Sequence, residues 1–277
     1  MQSFTGQEYG YMEDSVRRYI SLWWSLFQNS LTRDMEFKAN FLGGLFVDVI
    51  FYGIQFFFFS VIYSYVDAIG VFTKEDVMIF LIVTFLTDTL YMFFFAGNLF
   101  NLNRWMVRGD LDFFLLKPVH SQFLVSFRYI KSYAVVSLVI LSILLVSRVV
   151  IYSQPVPLLN WAAFIISLGL GWIIWYGVEF IISTSCFWFK NFSVSGWLSH
   201  EILKFSTRPD SIYTGLFRKV LLSAIPMILI VSIPTRILLY GPDIKYLGWQ
   251  LIVALVFLIN SRIIWKKGLL RYESASS

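Results

Sequence analysis

Cysteine is nearly missing from these 277 residues: Cys186 stands alone. No disulfide can close within the chain, and no thiolate cluster can hold a metal. Histidine is scarce too, with His120 and His200 only and no His-Glu-x-x-His pattern, so a zinc hydrolase of that kind is excluded. The chain has no Gly-Lys-Ser/Thr phosphate cradle and no Gly-x-Ser-x-Gly elbow. It therefore cannot hold ATP in the usual loop, and it does not read as a serine hydrolase. Charge is sparse as well. Charged residues make up 14% of the chain, against ~25% for a typical soluble domain. Hydrophobic residues reach 58% and aromatic residues 19%, so much of the surface must meet lipid instead of water. The net charge of +5 is modest, and the basic residues sit beside apolar runs, which points to membrane loops and not to nucleic acid.

What is present is a series of apolar runs. Spans are expected at 41–65, 77–99, 127–150, 161–187, 220–240 and 247–265, each close to the ~20 residues needed to cross a bilayer core. The first 14 residues are polar, and the N-terminus stays polar for about forty residues, unlike a cleavable signal peptide, whose apolar core comes much earlier. Over 15–38, Val16, Tyr19, Trp23, Phe27 and Leu31 recur at helical spacing opposite Arg17, Ser21, Ser25, Gln28, Thr32 and Glu36. This pattern predicts an amphipathic helix lying along the membrane surface. With six spans, all of the 22 basic residues except Lys74, Arg148, Arg236 and Lys245 fall on one side. That side is expected to be cytoplasmic and to carry both termini. In the fifth run, Pro226 and Pro234 interrupt the helical pattern and Pro242 follows Gly241. Proline removes a donor and kinks or ends a helix, so a broken or kinked span is expected, with 234–245 folded back near the outer face.

Polar residues inside the runs are the exceptions to explain. Asp48, Asp88 and Glu179 are costly in lipid and should face other helices or a watery cavity. Thr84, Thr87, Asp88 and Tyr91 share one helical face and are candidates to line a pathway or a subunit seam; a hydrogen-bonded packing seam is the alternative. For Asp48 and Glu179 packing is the better reading. Ser167 and Gly171 form a small-xxx-small pair, read as close helix packing. Between the second and third runs lies 104–118, a basic segment in which Gly109-Asp110 suits a sharp turn and Pro118 stops a short helix. It is shaped either to dock a soluble partner or to turn at the interface.

The run Met106 to Pro118 resembles the Gly-Asp/Glu-Leu-Asp…Leu-Leu-x-Pro segment of ABC-2 type exporter permeases, specifically a six-span branch. Phe187-Trp188-Phe189, then Arg208 to Tyr213, Ala224-Ile225-Pro226 and Ile233-Pro234 resemble blocks found in that order in the same branch. Asp210 departs from it, standing where small or apolar residues are commoner. The resemblance implies an all-α integral membrane permease that dimerises with a second copy or a paralogue. It also implies two separate ABC ATPase subunits, which hold the ATP and Mg; no cofactor is expected in this chain. Carried over, 104–118 is the ATPase-coupling segment, with Arg104, Arg108, Asp110 and Asp112 as polar contacts. Leu111 and Leu115 become its apolar plug, Gly109 its turn and Pro118 its end. A bacterial plasma membrane location and an amphiphilic cargo are further expectations. A non-transporting scaffold or sensor, or an ion-coupled carrier, stays open as an alternative.

Overall fold

The computed structural model describes residues 4–189 and 195–272, with side chains from 16 to 189 and from 196 onward. Lys190, counted above among the basic residues, lies outside the described residues. The first helix, α1 (Phe4–Glu36), begins well before the expected start at 15 and leads straight into α2 (Lys38–Ile62). α2 is apolar almost all round and buries only Asp48, Tyr52 and Phe59. A two-stranded hairpin follows, β1 (Ala68–Ile69) and β2 (Phe72–Thr73), paired antiparallel with Ile69 opposite Phe72.

Thr73 then opens α3 (Lys74–Tyr91) through a reciprocal cap: the Asp76 carboxylate accepts from the Thr73 amide at 2.8 Å, and the Thr73 hydroxyl accepts from the Asp76 amide. This helix does not end at 99 as expected. It runs on through a π-helical turn (Met92–Ala96), α4 (Gly97–Leu99) and α5 (Leu102–Arg108), making one stretch from Lys74 to Arg108. Gly109 adopts a left-handed φ of 77°, which folds α6 (Asp110–Leu115) back against α5. We call α5, α6 and the turn to Pro118 the elbow. After it come α7 (Ser121–Phe127), α8 (Ala134–Ile151) and α9 (Leu158–Thr184), the last extended by a 3₁₀ turn to Phe187. The remaining helices are α10 (Ser195–Leu203), α11 (Gly215–Leu222), α12 (Ile228–Tyr240) and α13 (Ile244–Leu269). Among the described residues, five stretches are long and apolar enough to cross a membrane: Lys38–Ile62, Lys74–Arg108, Ala134–Ile151, Leu158–Phe187 and Ile244–Leu269.

The expected span at 220–240 is the element that the structure redraws. α9 serves as a ruler, running from the hairpin end of the bundle at 158 to the elbow end at 187. Asn160 donates to the Leu238 carbonyl at 3.1 Å, and halfway along α9 the backbone of Ile230 lies against Gly171. A Cβ at Gly171 would come within 2.7 Å of the Ile230 carbonyl oxygen, so the two helices meet where only glycine fits, as the Ser167/Gly171 pair predicts. α12 therefore starts mid-bundle and rises to the hairpin, where the Tyr240 hydroxyl donates to Val71 O. Residues 210–211 sit at that same end. The Ser211 hydroxyl donates to Ile69 O at 2.9 Å, and Asp210, fully buried, takes Arg236 at 2.8 Å and Arg218 at 2.9 Å. α10 lies toward the opposite end, with Ser199 hydrogen-bonded to Glu179 and Gly196 against Phe100. The chain thus traverses the bundle between 196 and 211. α11 and α12 then dip in from the hairpin end and return to it. Pro226 sits in the break between them, whereas Pro234 is absorbed inside α12. Arg218 and Lys219, assigned above to the cytoplasmic side, belong to the hairpin end instead. The cause is local: neither α11 nor α12 is long enough alone to span, and proline prevents their fusion.

α13 supplies polar contacts to this region. Gln250 donates to Leu229 O at 2.7 Å and Ser167 O at 3.0 Å and accepts from the Ser167 hydroxyl at 2.7 Å. Single cysteines introduced into a Cys186→Ala background check the topology with a membrane-impermeant maleimide. Val71→Cys and Lys219→Cys are expected to label from one face and Lys117→Cys from the other. Labelling of positions 219 and 117 from a common face would restore the simple six-span path.

Candidate functional site

The elbow is a packed unit and not a loose loop. Leu111 is fully buried and Phe114 nearly so, while Trp105 packs at a tilt on Phe114, 4.9 Å between ring centres. The Arg128 guanidinium lies over the Phe114 ring at 4.9 Å. Leu111 is therefore a strut inside the protein, unavailable to a partner, which corrects its expected place in the apolar plug. The apolar groups that do face outward are Val107, Phe113 and Leu116, the last 80% exposed, with Leu115 at the border. A run read only for its leucines misses Phe113, because the tight α5–α6 turn and not an ideal helix decides which face is outermost.

The expected polar contacts divide. Arg104 is exposed and hydrogen-bonds Asn101. Arg108 is exposed and Asp110 half-buried, on either side of the Gly109 turn. Asp112 instead neighbours Tyr272 just past α13; burial, reinforced by the Asp112 carboxylate, pushes that phenol up to about 12. Pro118 accepts from Arg18 of α1 at 2.7 Å, and the His120 amide donates to the Tyr19 hydroxyl.

Those contacts belong to a longer brace. Along α1, Trp23 and Phe27 pack on Phe93 and Phe94, Ser30 accepts from the Ile130 amide at 3.1 Å, and Asp34 accepts from the Ser132 amide and hydroxyl. The expected amphipathic helix thus has its aromatic stripe against the elbow's supports, with Val16 left exposed. Phe93–Phe95 lie in the π-helical turn, where the widened ladder loosens backbone pairing. Asn98 compensates: its side-chain amide donates to Tyr129 O at 2.8 Å and Phe94 O at 3.2 Å, and its carbonyl accepts from the Tyr129 amide at 2.8 Å. Nothing in the sequence pattern singles out Asn98, since its partner lies 31 residues away.

Between α1, α5 and the 129–131 turn is a cavity of about 380 Å³, walled by Arg33, Arg104, Arg108 and Lys131 together with Trp105 and Tyr129. Asp110 lines it as well.

The other candidates lie deeper. Thr84 and Thr87 are buried, and their hydroxyls donate to Phe80 O and Val83 O of their own helix. Tyr91 stacks on Trp175 at 4.8 Å and meets Glu179. Asp88 keeps partial exposure and, with Asp48, lies near Lys131. Asp48 accepts from Ser137 at 2.9 Å, tying α2 to α8, and Glu179 ties α9 to α10 through Ser199. Pro226 and Pro234 shape the re-entrant pair described above.

A model of the ABC-2 family transporter proteins matches residues 49–276. No curated protein and no solved structure matches the chain.

The two leucine roles separate in a melt. Leu111→Ala is expected to destabilise the detergent-solubilised protein by roughly 2–5 kcal/mol, as for other fully buried leucines. Leu116→Ala should stay within about 0.5 kcal/mol of the parent. Equal losses at both sites would mean the elbow is not packed as described.

Proposed function

Because the chain belongs to the ABC-2 family of transporter proteins, we propose that it is the membrane permease subunit of an ATP-binding-cassette exporter whose elbow receives the stroke of a separate ATPase. The observation that carries this reading is the continuity of the helix from Lys74 into an elbow with an outward apolar tip. A helix that crosses the bundle and ends in a packed, partly apolar tip transmits a push along its axis. A flexible loop would absorb it.

In this reading two ATPase subunits hold ATP and Mg, and each elbow seats in one of them. Val107, Phe113 and Leu116 provide the apolar contact. Arg104, Arg108 and Asp110 orient it, and Asp112 anchors the elbow back toward the chain's C-terminal region. Closure of the ATPase dimer on ATP moves the elbow, with α1 and the 129–131 turn carried along by their shared hydrogen bonds. The broad apolar surface of α2, which buries only three of its residues, supplies a seam for a second permease, a copy or a paralogue. Thr84, Thr87, Asp88 and Tyr91 then act mainly in packing, Asp88 alone keeping access toward a pathway. Both termini and the elbow face the cytoplasm of a bacterial cell, and the cargo is an amphiphile moved outward between aromatic-rich walls.

The test is a double variant, Phe113→Glu with Leu116→Glu, beside a single charge swap, Asp110→Lys. Both are expected to insert at parental levels. Co-purification of the ATPase should fall at least about tenfold for the double variant, a loss of about 1.4 kcal/mol or more, and the charge swap should uncouple hydrolysis from export. Normal co-purification and export in both variants would contradict this assignment of the elbow.

A further inference from the structure

The walls of the cavity beside the elbow carry four cations and one carboxylate, Asp110. Among the described residues, Arg104, Arg108 and Lys131 form no ion pair, and Arg33 alone has one, with Asp34 at 3.1 Å. Four carboxylates are in range, of which Asp110 alone lines the cavity: Asp34 pairs with Arg33 and is also engaged by Ser132, and Asp48 and Asp88 act on Lys131. Four cations therefore converge on a space of about 380 Å³. Guanidinium groups present forked donors that match phosphate oxygens, and an ammonium adds a point charge. Trp105 and Tyr129 complete the wall with rings of the kind that settle at the headgroup level of a bilayer.

Position selects the source of the phosphate. Arg33 closes α1 just before α2 enters its apolar run at Lys38, and Arg104 and Arg108 follow directly on the long helix from Lys74. The cavity thus lies at the boundary between apolar and polar parts of the chain, on the side of the elbow. We propose that it binds the phosphate headgroup of an anionic phospholipid, which bridges α1, the elbow and the 129–131 turn. Basic recesses between helices at the cytoplasmic surface are suited to such headgroups. Because α1 and the elbow both wall the site, an occupied cavity ties the brace to the tip and makes the stability of that corner depend on lipid composition. The inference concerns binding and does not require the exporter reading to hold.

The experiment compares the intact protein in nanodiscs of phosphatidylcholine alone and with about a quarter phosphatidylglycerol. It reads the melting temperature and the lipid adducts retained in native mass spectrometry. The anionic discs are expected to raise the melting temperature by several degrees and to leave bound phosphatidylglycerol, with the gain shrinking between low and high salt. Arg33→Gln with Lys131→Gln should lose most of both signals, whereas Lys131→Arg should keep them. Should the double variant fail to fold, Arg108→Gln, at an exposed position, serves instead. Lys266→Gln with Lys267→Gln, outside the cavity, should retain the full response. Unchanged adducts and an unchanged thermal gain in the cavity variants would overturn the proposal. An equal gain from millimolar inorganic phosphate in lipid-free detergent would assign the site to a soluble anion and overturn the lipid source.

Discussion

The paired hydrogen bonds between Asn98 and the backbone of Tyr129 hold together everything that this protein offers at its elbow end. They act where the long helix is weakest. A π-helical turn at Met92–Ala96 interrupts regular backbone pairing in an otherwise apolar stretch, and in such surroundings each carbonyl must find a donor within the protein. Asn98 supplies one to Phe94, and the Lys131 amide reaches Phe93 O at 3.4 Å. The turn that carries Tyr129, Ile130 and Lys131 is thereby fixed to the long helix, and α1 fastens to the same turn through Ser30 and Asp34. Elbow, brace and bundle are one mechanical piece because of a few polar contacts placed at a deliberate irregularity.

The opposite end follows the same logic with different means. Asp210 is fully buried between Arg218 and Arg236, and Arg236 lies over the Phe72 ring at 5.1 Å. This cluster pins the start of the re-entrant pair to the hairpin. A buried carboxylate is tolerated there because both of its oxygens are taken by guanidinium groups that remain partly solvated. Nearby, Asp76 gathers the Tyr152 hydroxyl at 2.5 Å and the Tyr240 hydroxyl at 3.1 Å, joining α8 and α12 to the cap of α3. Between the two ends the bundle is held by close helix contact, as at Gly171, and by single side chains such as Gln250.

Hydropathy and length made the five long helices legible, since an apolar run of that size has few other uses. They also made the amphipathic face of α1 legible, and the turn at Gly109. The path after α9 was hidden. Residues 220–240 are apolar enough to pass for a span, and only the contacts of Leu238 with Asn160 and of Asp210 with Arg236 reveal that both ends of the pair lie together. The charge count inherited that error through Arg218 and Lys219. Leu111 misled for a related reason: helical spacing gives a face, but whether that face meets a partner or the protein's own core depends on a turn several residues away. Asn98 carried no signal at all, and Arg33 and Lys131 counted only toward the side of the membrane, because what matters about them is the company they keep across 30 residues or more of chain.

The central claim is that the elbow tip touches the protein that hydrolyses ATP. A photoreactive amino acid placed at Leu116 in cells expressing the whole complex tests it most directly. The account predicts a covalent adduct with an ABC ATPase subunit after illumination, dependent on the label and absent when it is moved to Val71. Adducts with extracytoplasmic proteins, or none with an ATPase while Val71 yields one, would contradict it.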